Sequence, residues 1–181
     1  MTTIKETKLS GAFIIEPHRF EDERGFFARA WSEGELAERG VGPLVEANIS
    51  YNRRKWTLRG MHYQAAPHGQ GKLLRCTRGA IYDVGVDLRP ESPTFMRWVG
   101  VELTEQNRLL LYLPPEFAHG FQTLRDDTEV FYMVSSLYTP ESYRGVRWDD
   151  PAFGIEWPHA DRRIINERDR TYPDFTPPKK S

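Results

Sequence analysis

The chain reads as an all-β protein, a sandwich or barrel of short strands with one or two short helices. Short strand-like runs recur at roughly 8–12-residue spacing with turn residues between them. Aromatic residues make up 13% of the chain, while 14 glycines and 13 prolines supply turn chemistry. No helical pattern sits between the runs to act as a parallel crossover, which argues against an α/β fold.

Residues 9–15 read as a first strand closed by Pro17, followed by a polar turn at Glu21–Gly25 and the pair Phe26 and Phe27. Ser32 with Glu35 three residues later forms a capping-box pattern for a helix that Gly40 can end. A strand is expected over about 44–51, ahead of the basic cluster Arg53, Arg54 and Lys55, which reads as a solvated loop with phosphate contact as the minority reading. Further strands are expected over 72–77, 80–88, 95–103, 108–113 and 129–137. Pro114 and Pro115 block ladder pairing, so His119 is expected in a loop. From Arg144 to Ile164 the chain looks irregular but holds enough Trp and Ile to pack, and residues 175–181 are expected to fray.

A length of 181 residues fits a single domain, at ~100–200 residues per domain. The 25 basic and 26 acidic residues leave a net charge of −1, so no bulk basic field exists to hold nucleic acid. No apolar run approaches the ~20 residues needed to span a bilayer. The polar opening Met1–Thr7 lacks the apolar core of a signal peptide. Cys76 is the only cysteine and reads as a small buried apolar residue. Together these carry the expectation of a cytoplasmic protein without membrane or nucleic-acid partners.

The most informative stretch is Leu58–Lys72, where Arg59, Lys72 and the imidazole of His62 stand among glycines and apolar residues. A titratable base beside cations points to acid–base chemistry on an anionic substrate. His62 and His119, with His68 as a third, are one candidate metal set, but the tight His-x-His pair usual in metal-binding jelly rolls is absent. The metal-free alternative is proton abstraction beside a carbonyl. There His62 is the base, Lys72 faces the developing enolate oxygen, and a buried phenol such as Tyr132 or Tyr138 is the acid on the opposite face.

Ordered motifs extend this reading. Leu58-Arg-Gly-Met-His-Tyr-Gln64, Gln70-Gly-Lys-Leu-Leu74, Arg78-Gly-Ala-Ile-Tyr-Asp-Val84, Pro114-Pro-Glu-Phe-Ala-His-Gly-Phe121, Arg147-Trp-Asp-Asp-Pro151 and Asn166-Glu-Arg-Asp169 follow in sequence. With them the chain resembles the dTDP-4-dehydrorhamnose 3,5-epimerase family over about residues 9 to 172. The resemblance implies a cupin-type jelly roll (double-stranded β-helix), a homodimer, no metal or organic cofactor, and a nucleotide-diphosphate sugar as substrate. It implies His62 as base, Asp169 as its orienting carboxylate, Lys72 beside the keto oxygen and Tyr132 as acid. Arg24 and Arg59 match diphosphate-nucleotide contacts; Asn48, His119 and Arg168 match further substrate positions, and Asp83 a carboxylate near the site. Tyr138 joins the substrate-binding set. Arg29, Glu46 and Tyr143 depart from the residues usual in the family; several of the departures lie at the nucleotide end, and Arg29 in place of glutamate reverses a charge and so changes pairing. Alternatives are an epimerase or ketoisomerase acting at one carbon of a related 4-keto sugar nucleotide, a metal-dependent cupin enzyme, and a non-catalytic sugar-nucleotide-binding module.

Overall fold

The computed structural model describes residues 2–178. In chain order its strands are β1 (Thr3–Glu6), β2 (Phe13–Glu16), β3 (Arg19–Asp22), β4 (Gly25–Ala28), β5 (Glu46–Asn52), β6 (Leu58–Gln64) and β7 (Lys72–Arg78). They continue as β8 (Ala80–Asp87), β9 (Trp98–Thr104), β10 (Leu110–Leu113), β11 (Phe117–Thr123), β12 (Thr128–Val134) and β13 (Tyr143–Gly145). Two short helices, α1 (Glu33–Ala37) and α2 (Glu167–Arg170), complete it.

Two antiparallel sheets make the body, in the orders β1-β2-β10-β7-β12-β5 and β13-β6-β11-β8-β9. From β5 to β13 successive strands alternate between the sheets, apart from the β8–β9 pair, as in a jelly roll. Leu74, Cys76, Leu111 and Val130 of the first sheet meet Ile81, Leu103, Phe117 and Phe121 of the second in a dry core. This packing of inward-facing residues is the main stabilising contribution. A separate hairpin, β3–β4, forms its own two-stranded sheet and touches the body where the Arg108 guanidinium lies 4.7 Å over the Phe26 ring.

Several sequence expectations shift. The first strand begins at Phe13, because residues 7–12 form a turn in which Ala12 N–H donates to the Leu9 carbonyl and Thr7 Oγ1 accepts from Leu9 N–H. An earlier strand, β1, pairs with it. The α1 helix forms where the pattern placed it, but Ser32 makes no side-chain cap bond. His119 lies within β11, not in a loop: the two prolines end before Phe117 and leave the ladder intact. β6 carries alternation too broken to read, since its residues serve the pocket as well as the core. The tail does not fray at Phe175, which packs on Phe153 with ring centroids 5.2 Å apart and donates its N–H to Asp150 at 2.5 Å. Residues 179–181 lie outside the described residues.

β5 inverts the usual pattern. Glu46, Asn48 and Ser50 turn toward the body while Val45, Ile49 and Tyr51 are exposed. A strand with polar residues inside must line a wet cavity rather than a core.

Candidate active site

A cavity of about 360 Å³ opens between the two sheets. The first sheet supplies Glu46, Asn48 and Ser50 from β5, Lys72 from β7, and Tyr132 and Val134 from β12. The second supplies Arg59 and His62 from β6 with His119 and Phe121 from β11. Asn166, Arg168 and Asp169 close one side from the α2 turn, and Tyr138 and Tyr143 close another.

The central pair is His62 and Asp169. His62 Nε2 lies 2.7 Å from Asp169 Oδ1, and the other carboxylate oxygen accepts the Gly60 N–H at 3.0 Å. An ionised carboxylate only accepts, so the ring donates from Nε2 and Nδ1 keeps the free lone pair. Asp169 is fully buried, and its own N–H is held by Asn166 Oδ1 at 2.7 Å. Burial alone would raise the Asp169 carboxyl, but its bond to His62 and the contacts from Gly60 and Arg168 hold it below the ordinary range. Burial lowers the His62 imidazole against the opposing pull of Asp169, so the ring rests neutral and able to accept a proton.

Gly60 makes this approach possible. Its φ is +123°, and a Cβ there would lie 2.5 Å from the Gly120 Cα and 2.8 Å from the His119 carbonyl. Only glycine lets β6 and β11 come this close.

Lys72 is buried and donates from Nζ to the His62 carbonyl at 3.0 Å. Burial lowers its ammonium to about 8, against the opposing effect of Asp83. His119 is the cross-strand partner of His62, and its Nε2 sits 3.0 Å from Asp83 Oδ2. Tyr132 looks in from the opposite sheet, and burial raises its phenol, so it holds its proton at neutral pH. The Tyr143 ring lies 5.4 Å from His62, and the Arg168 guanidinium covers Tyr143 at 5.1 Å. Arg59 is steered by a bond from Nε to Asn52 Oδ1 at 2.7 Å. A neutral base, a proton-bearing phenol and an ammonium therefore share one pocket with two further guanidinium groups.

Most sequence candidates meet here, and three do not. Arg24 sits in the exposed β3–β4 turn bonded to Asp22, and Arg29 lies 3.8 Å from Glu35; neither reaches this pocket within one chain. Asp83 is buried behind His119 and does not line the cavity. His68 is absent from the lining, and no group of three potential metal ligands forms among the described residues. Ser50, Gln70, Phe121, Val134 and Asn166 line the cavity unread by sequence. Period-two alternation from Asn48, His119 and Tyr132 reaches Ser50, Phe121 and Val134.

A family model described as dTDP-4-dehydrorhamnose 3,5-epimerase matches residues 6–177. The chain belongs to the dTDP-4-dehydrorhamnose 3,5-epimerase family. A relative of that name from Methanothermobacter thermautotrophicus is 45% identical over 170 residues, 92% of this chain and 91% of the other. A solved dTDP-4-dehydrorhamnose 3,5-epimerase from Bacillus anthracis, with TDP and PPi bound, superposes with a TM-score of 0.92 at 40% identity, over 97% of this chain and all of that one. A 3'-monoepimerase from Streptomyces bikiniensis, in complex with dTDP-quinovose, superposes with a TM-score of 0.85 at 33% identity, over 93% of this chain and 85% of that one. The ordered motifs and the cupin-type jelly roll are thus those of this epimerase family, and the family is one of isomerases.

Proposed function

We propose that this chain inverts the carbons on either side of the keto group of a dTDP-4-keto-6-deoxy sugar, with His62 as base and Tyr132 as acid. The observation that carries this is the placement of the two groups on opposite sheets facing one cavity. His62 takes the proton from carbon three or five, and the electron pair moves into the carbonyl to give an enolate. The Lys72 ammonium stabilises that oxyanion. Tyr132 returns a proton to the same carbon from the other face, inverting it, and the His62 proton and the Tyr132 phenolate re-equilibrate with solvent. Asp169 stabilises the imidazolium formed in the first step. Both carbons flank one carbonyl, so a single oxyanion site serves both inversions after a small shift of the ring.

Arg59 and Arg168 suit the diphosphate, since guanidinium forks match phosphate oxygens. Glu46 and Asn48 offer hydrogen bonds to the sugar or base, as do Tyr138 and Tyr143, and His119, whose Nε2 faces Asp83, offers its Nδ1 lone pair as an acceptor. A homodimer belongs to the same reading. Phe20, Phe27, Val45 and Ile49 leave apolar surface uncovered on one chain, which a second copy would bury. Arg24 and Arg29 then serve the partner's pocket from the projecting hairpin and the segment after it. A cytoplasmic location goes with a nucleotide-sugar substrate.

Incubation with dTDP-4-keto-6-deoxyglucose in heavy water tests this directly. Deuterium at carbons three and five with inverted product is the expected NMR result. Label at one carbon alone would assign the chain to the monoepimerase type, and binding without exchange would defeat the catalytic reading.

A further inference from the structure

Away from the pocket, the basic cluster at 53–55 meets a second basic segment. Arg54 and Lys55 come together with Arg162, Arg163 and Arg170 around a groove of about 650 Å³. The active pocket and this groove share no lining residue, although the 162–170 segment walls both. None of these five cations forms an ion pair with a carboxylate within 4.0 Å among the described residues. The one acid in the groove, Asp126, accepts the Lys55 backbone N–H at 2.7 Å. In a chain of net charge −1, five cations facing that one carboxylate make the groove strongly positive.

Two features show that the groove is built. Arg163 is fixed from three sides: Nε donates to Gln122 at 2.7 Å, a terminal nitrogen donates to the Pro158 carbonyl at 2.8 Å, and the guanidinium lies 4.8 Å over the Trp148 ring. Trp56, also in the lining, has φ +65°, a left-handed conformation that is an outlier for a bulky side chain. It is held there by its N–H to the Thr123 carbonyl at 2.9 Å and by the Ile164 N–H to its own carbonyl at 3.0 Å.

We propose that this groove is a second binding site, for a diphosphate-bearing ligand of the nucleoside diphosphate class. The guanidinium forks take the diphosphate oxygens, and the Trp56 indole provides a surface for the base. A lone phosphate would leave most of the groove unfilled. The confinement of the charge to one groove fits a small anion better than a polynucleotide.

Calorimetric titration of the full chain with thymidine diphosphate and with pyrophosphate tests this. Wild type should bind two thymidine diphosphates per chain. The Lys55→Gln/Arg162→Gln variant should bind one while keeping epimerase activity and its circular-dichroism melting curve. Arg59→Ala should retain the groove site after losing the pocket site. Trp56→Leu should weaken thymidine diphosphate at the groove about tenfold and leave pyrophosphate unchanged, the size expected for one stacked base. Equal pyrophosphate and nucleotide affinities, unmoved by Trp56→Leu, would assign the same site to the inorganic anion. One site per chain in wild type, two sites surviving in Lys55→Gln/Arg162→Gln, or oligothymidylate binding there without diphosphate binding would overturn the proposal.

Discussion

At the scale of single residues, burial decides which groups hold protons. His62 lies below its ordinary value and Lys72 near 8, so the productive state has a neutral imidazole and a charged ammonium. Turnover should rise as pH climbs through a value below the usual ~6.5 of histidine and fall as Lys72 loses its proton near pH 8. Lys72→Arg should carry the alkaline limb upward, because guanidinium stays charged; a pH series of kcat/KM on both proteins reads this. His62→Asn should cut turnover about 10²–10⁴-fold, the usual contribution of a general base. Tyr132→Phe should keep solvent exchange at the substrate while losing inversion, and proton NMR in heavy water separates the two. Loss of both together would merge the roles assigned to the two side chains.

At the scale of elements, the close crossing of β6 and β11 and the short α2 turn place the His62–Asp169 pair. Gly60→Ala puts a Cβ against the Gly120 backbone at a φ that disfavours any side chain. A loss of about 1–3 kcal/mol is expected from strain of this kind, visible as a lowered melting temperature together with a drop in kcat. Asn166→Ala removes the acceptor for the Asp169 N–H. It should cost about 1 kcal/mol, as for other N-caps, and should lower kcat more than it raises KM. Sequence patterns served these elements unevenly. β8 is buried on both faces and was legible from its Ile and Val content, whereas β6 puts Arg59, His62 and Gln64 where a core strand would be apolar. α2 spans four residues, too few to show a helical period.

At the scale of the whole molecule, the exposed Phe27 of the β3–β4 hairpin and the outward-facing Ile49 of β5 define the surface a second copy would cover. Phe27→Glu should shift sedimentation toward the monomer and lower kcat/KM, since Arg24 would no longer reach a neighbouring pocket. An unchanged sedimentation coefficient with full activity would confine Arg24 to its own hairpin.

Residue types and their local periodicity determined the β class, while the family motifs, not periodicity, marked His62, Lys72 and Asp169. Strand periodicity and short motifs each span only a few residues, so the chain displays them without being folded. Tertiary structure brings Asp169 to His62 across 107 positions of sequence, a pairing that only the resemblance had implied, and turns the polar side of β5 inward. It also decided that basic residues from 54–55 and 162–170 share one groove. Such meetings depend on strand register and on which sheet each strand joins, and those are settled by packing the entire core at once.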